Sequence, residues 1–356
     1  MTVILFIIDL PSPQRTPLLD SLTRDEGIDL LVIYREARDE TRGWGGSDPK
    51  HPYIVLSGGS IRRVYSVLRH VWRRDIGVVC LFGYRSAERV AAAIASRVLT
   101  KRLVMRSDNN VIDELSRPPW RRLLKKSYLR VLLGKRMIIW TIGQRNDQYW
   151  SLLGFRERRL VPYRLLAPPI GTIEDGERLR SNLELGKRFI ILYVGCTSER
   201  KGISDLVHAI DGFRGRCSDK EFVLVVVGCG PLDAWLERGW GRCDWIRLVG
   251  SVPNDRLGPY YAAADMVAVP SRAEGWSWVV NEAVANGLYV VASDRVGAAD
   301  DLVDEANGRR YTAGSVEELE EIIRATIDRP IPRGVIDPPT LRGGTREMKS
   351  AIDALL

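Results

Sequence analysis

Histidine and cysteine are scarce in this chain of 356 residues, with three of the first and five of the second. The cysteines, Cys80, Cys196, Cys217, Cys229 and Cys243, are odd in number and include no C-x-x-C pair. Cysteine therefore points to no metal site, and a reduced, cytoplasmic protein is the better reading. Long apolar runs are missing too: Val3 to Ile8 is too short to span a bilayer, lacks a basic leader and reads as a first core strand. No internal repeat is visible, and 18 Pro with 32 Gly do not make a low-complexity chain. No nucleic-acid-binding motif accompanies the basic charge, so nucleic acid is not an expected partner.

What is present is enough apolar residue, 45%, for two cores, and the length suits two domains. The net charge of +8 is unevenly spread: residues 1–165 carry 30 basic against 16 acidic residues, +14, and the remainder 23 against 29, −6. The two halves therefore face different partners. In the first half, short apolar strands alternate with helical patterns, as a doubly wound parallel sheet requires. The strands are expected at Val3 to Ile8, Ile28 to Tyr34, Tyr53 to Leu56, Val78 to Phe82, Leu103 to Met105 and Met137 to Thr141. The prolines of Val161 to Ile170 favour an extended connection there, and Phe189 to Gly195 starts a second such pattern.

The chain is organised around residues 270–287. An apolar run, Asp265 to Val269, reads as a buried parallel strand, and Pro270 and Gly275 break the pattern before an Ala-rich helix. Glu274 then sits on a strand-to-helix loop. Glu282 lies about two helical turns along, so both carboxylates can face one cleft. At the helix start, the N–H groups of Gly275, Trp276 and Ser277 and the positive end of the dipole suit a diphosphate. The carboxylates accept hydrogen bonds from sugar and ribose hydroxyls. The competing reading makes Glu274 a helix-start charge and Glu282 part of a solvated helix face.

Pro270, Ser271, Glu274, Gly275, Trp276, Glu282, Ala283, Ala285 and Gly287 match a signature, and the chain resembles retaining family 4 glycosyltransferases of the GT-B fold. Ser277 departs from the Gly often found there. The resemblance is specific over about residues 187–328 and architectural before that. It implies that Gly195-Cys196-Thr197-Ser198-Glu199-Arg200-Lys201-Gly202 grips the donor diphosphate. Lys201 fits the pattern, but the usual Arg is replaced by Cys196, leaving Arg200 as the substitute. The competing reading of this loop is an exposed basic turn. Gly228-Cys229-Gly230-Pro231 fits the family's order of motifs. Gly250-Ser251-Val252-Pro253 is the stretch whose backbone cradles the nucleotide base in relatives. Gly297 to Val303 resembles a short family helix, Asn307-Gly308 suits a tight turn, and Glu317 to Ile327 reads as a helix.

Relatives also carry a Gly-rich loop after the first strand. Asp9 to Pro17 has no glycine there, leaving Arg15 to supply charge or the segment to be a Pro-punctuated turn. Trp44-Gly45-Gly46-Ser47 and Ser57-Gly58-Gly59-Ser60 read as connections. Asp108, with Arg106 beside it, stands where the family often places a polar acceptor-site residue, and it competes with a plain helix N-cap before Val111. Two basic segments, Ile61 to Arg74 and Pro119 to Arg130, are amphipathic and carry Trp, which fits an anionic membrane surface. The competing reading packs their apolar stripes, Ile61, Val64, Tyr65, Leu68, Val71 and Trp72 in the first, on the sheet.

The expected fold is α/β, GT-B, with two Rossmann-like doubly wound domains facing across a central cleft. Residues 1–165 form an acceptor domain, 166–338 a nucleotide-sugar domain, and 339–356 a helix crossing back to the first. The resemblance implies a retaining, metal-independent hexosyltransferase with no tightly bound cofactor and a nucleoside-diphosphate sugar as donor. The acceptor is a glycan, a lipid-linked glycan or a small molecule, and the location is cytoplasmic, free or peripheral at the inner membrane face. Lys201, Arg200, Asp108 and Glu274 are the catalytic candidates. Gly195, Lys201, Val252, Ser271, Glu274, Gly275, Trp276, Ser277 and Glu282 are the donor-binding ones. The alternatives are a nucleotide-sugar-binding subunit without transfer activity and a GT-B phosphorylase.

Overall fold

Short strands of near-continuous Val, Ile and Leu must bury both faces, which a parallel sheet covered by helices on each side achieves. The computed structural model describes residues 2–37, 48–134, 137–155, 160–162, 171–213, 222–333 and 341–355. The chain divides into two units, Met1–Leu166 with Thr340–Leu356, and Ala167–Pro339.

The first unit holds strands β1 (Val3–Ile8), β2 (Leu30–Tyr34), β3 (Tyr53–Val55), β4 (Ile76–Phe82), β5 (Arg102–Arg106), β6 (Ile138–Thr141) and β7 (Leu160–Pro162). They form one parallel sheet in the order β3-β2-β1-β4-β5-β6-β7. Its helices are α1 (Thr16–Arg24), α2 (Ser60–Val71), α3 (Ala87–Val98), α4 (Val111–Leu115), α5 (Pro119–Leu133) and α6 (Gly143–Leu152). Phe6 is buried in the middle, its backbone opposite Val32 and Cys80, its ring against Phe82 and Trp140 at 6.2 and 6.5 Å.

The second unit repeats the plan with α7 (Ile173–Asn182), β8 (Phe189–Val194), α8 (Ile203–Phe213), β9 (Phe222–Val227), α9 (Asp233–Trp240) and β10 (Ile246–Gly250). It continues with α10 (Gly258–Ala263), β11 (Met266–Val269), α11 (Trp278–Ala285), β12 (Tyr289–Ser293), α12 (Gly297–Leu302), β13 (Gly308–Tyr311) and α13 (Val316–Asp328). The sheet is parallel in the order β10-β9-β8-β11-β12-β13. The last helix, α14 (Leu341–Asp353), belongs to the first unit, where it packs on α1 and Thr345 bonds Ser21 at 3.1 Å.

In both sheets the strand order reverses once, between β1 and β4 in the first and between β8 and β11 in the second. Loops leaving the carboxyl ends of strands on either side of such a reversal diverge and open a crevice for ligands. Those loops are where the site must be sought.

The structure departs from the expected elements in three places. Val161-Pro162, expected in a connection, lies in β7, an edge strand where Pro costs no ladder bond on its outer side. Gly308, expected in a tight turn, instead opens edge strand β13, and the turn before it closes on Asp304, whose carbonyl accepts from Gly308 N–H at 2.9 Å. The stripe expected to pack α2 on its sheet does so only in part: Val71 is buried, but Ile61, Tyr65 and Trp72 are exposed, and Val67 is buried in their stead. Trp44 to Ser47, Cys217 and most of the connection after Pro162 lie outside the described residues.

Candidate functional site

The reversal point of the second sheet brings two loops together. One follows β8 and runs from Gly195 to Gly202; the other follows β11 and runs from Pro270 to Ser277. Residues 199–201 make a single 3₁₀ turn ended by Gly202 in the left-handed conformation, φ +68°. A Cβ at Gly202 would stand 1.9 Å from the Pro270 carbonyl oxygen, so only glycine lets the loops approach. They are then stitched by backbone and side chain. Arg272 N–H donates to the Arg200 carbonyl at 2.9 Å, and the Arg200 guanidinium donates to the Ala273 carbonyl at 2.8 Å. Arg272 reaches back to Asp205 on α8, its Nε at 2.9 Å.

This stitching sets the charged pair. Lys201 Nζ is ion-paired with Glu274 Oε2, and Arg200 Nη1 stands 3.6 Å from the same oxygen. Two cations therefore converge on one carboxylate at the carboxyl edge of the sheet. Arg200, in place of an arginine at Cys196, points at this pair; Cys196 itself is exposed.

Glu274 forms a bridge with Val296, and a Cβ on Gly297 would meet the Gly275 carbonyl oxygen at 2.2 Å, so α12 closes on the loop. The helix after it begins at Trp278, later than expected, which places Gly275, Trp276 and Ser277 in the loop with Ser277 as the capping residue. The free N–H groups of the first turn thus belong to residues from Trp278 onward. Trp276 is buried and its indole donates to Asn281 at 2.7 Å, leaving its ring packed in the interior. Ser271 is buried as well, its carbonyl accepting from Ser293.

Glu282 is 3% exposed, which excludes the solvated helix face. Its Oε2 accepts from the Tyr261 hydroxyl of α10 at 2.6 Å. Burial, then the neighbouring carboxylate, raises the Tyr261 pKa well above its ordinary value, so this hydroxyl stays a donor. Tyr193, at the end of β8, is likewise raised by burial and donates to the Cys196 carbonyl at 2.7 Å, fixing the start of the first loop.

The Gly-x-Gly turn after β9 is a packing device. A Cβ at Gly228 would be 1.9 Å from the Gly195 carbonyl oxygen, and one at Gly230 would be 2.7 Å from that of Thr197. Val252 lies on the loop after β10 and is half-buried.

Residues 188–329 match the family described as glycosyl transferases group 1. That match covers the greater part of the second unit. The fold of the chain is GT-B. Anabaena HepE, solved in complex with UDP, aligns over 100% of this chain and 97% of its own with a TM-score of 0.72 at 18% identity, a likeness of fold alone. A GDP-mannose-dependent alpha-(1-6)-phosphatidylinositol monomannoside mannosyltransferase of Mycobacterium tuberculosis is 30% identical over 162 residues, 42% of this chain and 42% of that protein. TuaC of Bacillus subtilis, a putative teichuronic acid biosynthesis glycosyltransferase, is 28% identical over 218 residues, 61% of this chain and 52% of TuaC. The chain thus spans about half or less of the length of these curated relatives.

In the first unit the reversal point is flanked by Asp9 and by the loop after β4. Burial works to raise the Asp9 pKa, but Arg89 at 2.7 Å and Arg35 at 3.0 Å outweigh it and hold the carboxyl below its ordinary value. Arg15 and Arg106 both lie over the Phe82 ring, at 5.4 and 5.1 Å. Asp108 is exposed and pairs with Arg106 at 2.9 Å; the N-cap of α4 is Asn110, which accepts from Asp113 N–H at 2.8 Å. Among the described residues no group of three or more His, Cys, Asp or Glu side chains could hold a metal ion. Tyr193, Asp205, Tyr261 and Arg272 were not singled out from the sequence. Only Tyr193 left a signal there, as the one hydroxyl in an aliphatic strand.

Proposed function

We propose that this chain is a retaining glycosyltransferase that moves a hexosyl group from a nucleoside-diphosphate sugar to an acceptor hydroxyl. The observation that carries the reading is the pairing of Lys201 and Arg200 with Glu274 at the strand-order reversal of the second unit. The donor diphosphate takes over the two cations, and Glu274, released from them, accepts hydrogen bonds from the sugar hydroxyls. Glu282 uses the carboxylate oxygen opposite its Tyr261 bond for the ribose hydroxyls, while backbone groups from Gly195, Gly275 to Ser277 and the loop at Val252 line the donor. Ser271 and Trp276, both buried, act by shaping that loop.

The acceptor hydroxyl attacks the anomeric carbon from the face the diphosphate leaves. The new C–O bond forms as the glycosyl–phosphate bond breaks, and the hydroxyl proton passes to the departing phosphate oxygen. Lys201 and Arg200 stabilise the charge growing on that leaving group, and no strong side-chain base is required. Asp108 orients the acceptor hydroxyl. No protein-bound metal or tightly bound cofactor is needed in this scheme.

The acceptor is a phosphate- or carboxylate-bearing molecule, with a lipid-linked glycan favoured. The support is the +14 charge of residues 1–165, the guanidinium groups near Asp9 and Phe82, and the phosphatidylinositol-linked acceptor in the name of the mycobacterial relative. The expected place of action is the cytoplasmic side of the cell.

Release of nucleoside diphosphate from a matched donor tests the scheme. Lys201→Ala is expected to lower turnover by about 10²–10³ while weakening donor binding less. Unchanged turnover would remove Lys201 from the chemistry. A wild-type protein that binds donor but transfers to no acceptor would favour the non-catalytic subunit, for which Cys196 in the arginine position is the motivation.

A further inference from the structure

Helices α2, α3 and α5 each connect strands that step the same way across the first sheet, so right-handed crossovers lay them side by side on one face. α3 packs between α2 and α5, and Arg97 of α3 donates to the Val131 carbonyl of α5. Their inward faces fill the core through Val67, Val71, Leu129, Leu132 and Leu133. Their outward faces are apolar as well.

Of the fifteen large apolar side chains exposed among the described residues, ten lie on these three helices or at their ends, so the exposure is local and not scattered. On α2 they are Ile61, Tyr65 and, at its end, Trp72; on α3, Ile94 and Val98. On α5 they are Trp120, Leu123, Leu124, Tyr128 and Val131, with Leu123 at 65% and Leu124 at 63%. Apart from the adjacent Leu123 and Leu124, the spacings are three, four and seven residues, which makes each set one stripe along its helix.

Charge identifies the occupant. α2 carries Arg62, Arg63 and Arg69, α5 carries Arg121, Arg122, Lys125, Lys126 and Arg130, and neither helix has an acidic residue. Lys125 turns inward to Glu114 at 2.6 Å, but Arg62, Arg69, Arg121 and Arg130 are exposed around the stripes. Arg121 stacks on the exposed Trp120 ring, 5.0 Å from its centroid. A second copy of the chain docked on this face would set basic helix against basic helix. An anionic bilayer accepts both features at once, its headgroups meeting the guanidinium groups and its acyl boundary the Trp and Leu side chains.

We propose that the outward faces of α2, α3 and α5 form a docking surface for an anionic lipid bilayer. The surface lies entirely in the first unit, so it stands apart from the donor reading, and donor-induced stabilisation serves as a folding control for variants made here.

Flotation of the full chain with phosphatidylcholine vesicles, with and without phosphatidylglycerol, tests it. Binding to the phosphatidylglycerol vesicles is expected to be at least about tenfold stronger and to weaken with added salt. The double variant Leu123→Glu with Leu124→Glu, both side chains in solvent, is expected to lose at least about tenfold in binding while its melting temperature holds. Arg69→Gln with Arg121→Gln is expected to erase most of the preference for the anionic vesicles. Equal binding to both vesicle types, no binding to either, or an unaffected leucine variant would overturn the proposal. So would a wild type that is dimeric without lipid and becomes monomeric in the leucine variant.

Discussion

Tyr261 and Glu282 illustrate what a hydrogen bond does between two buried side chains. The carboxylate is held by the hydroxyl at 2.6 Å, and the hydroxyl is held protonated by its burial. Tyr261→Phe leaves the carboxylate short of a partner and is expected to cost about 1–3 kcal/mol in chemical denaturation. It is also expected to weaken donor binding, since Glu282 loses its fixed orientation. Stability equal to wild type would show that the carboxylate finds another donor. Nothing in the sequence marked this pair, because the partners are 21 residues apart on different helices and no local periodicity links them.

His51 offers a second residue-scale test. Its Nδ1–H donates to Asp20 at 2.6 Å while Nε2 accepts from the Tyr34 hydroxyl at 2.9 Å. Burial lowers its pKa, and the Asp20 carboxylate, pulling the other way, does not cancel that effect. With the folded pKa below the unfolded one, the unfolded chain binds more protons as pH falls. Stability is therefore expected to be full above about pH 7 and to decline as pH falls below the unfolded value of about 6.5, with the decline absent in His51→Gln. A rise in denaturation midpoint on acidification would mean that the ion pair with Asp20 prevails.

At the scale of elements, the central strands were legible because burial on both faces leaves an unbroken apolar run: Val3 to Ile8 is the strand the sequence predicts. The edges were not. β13 reads Gly-Arg-Arg-Tyr, and β7 ends in Pro, since an edge strand needs neither continuous apolar residues nor every N–H. The α2 stripe failed for a related reason. The single stripe expected there splits, Val71 and Leu68 packing inward with Val67 while Ile61, Tyr65 and Trp72 face outward, because periodicity does not say which edge of a broad apolar face meets the sheet. The loop pair at the site was legible through Lys201, Gly202, Glu274 and Glu282, but the stitching by Arg272 and Asp205 was not.

Gly202 measures how much that loop pair depends on close approach. Gly202→Ala places a Cβ against the Pro270 carbonyl in a left-handed conformation, and is expected to destabilise by roughly 1–3 kcal/mol or more. Donor binding is expected to fall with it, because Lys201 and Glu274 come from the two loops being forced apart. A variant as stable as wild type, with intact donor binding, would show that the loops can separate without consequence.

For the whole molecule, the sequence foretold two doubly wound sheets and a basic first half, and both sheets have the strand order such folds use. The account of function rests on one of them, the 188–329 segment shared with the group 1 family, where a nucleoside-diphosphate sugar is to displace the Lys201–Glu274 pair. The most direct test is a thermal-shift panel of UDP-, GDP-, TDP- and ADP-sugars on wild type and Glu282→Ala. A ligand present at about 100 times its dissociation constant adds roughly 2.7 kcal/mol to the folded state. A rise in melting temperature with sugars of one base, lost in Glu282→Ala, is the expected result. No rise with any donor, where a control ligand on another protein registers, would contradict a donor site at Lys201, Glu274 and Glu282.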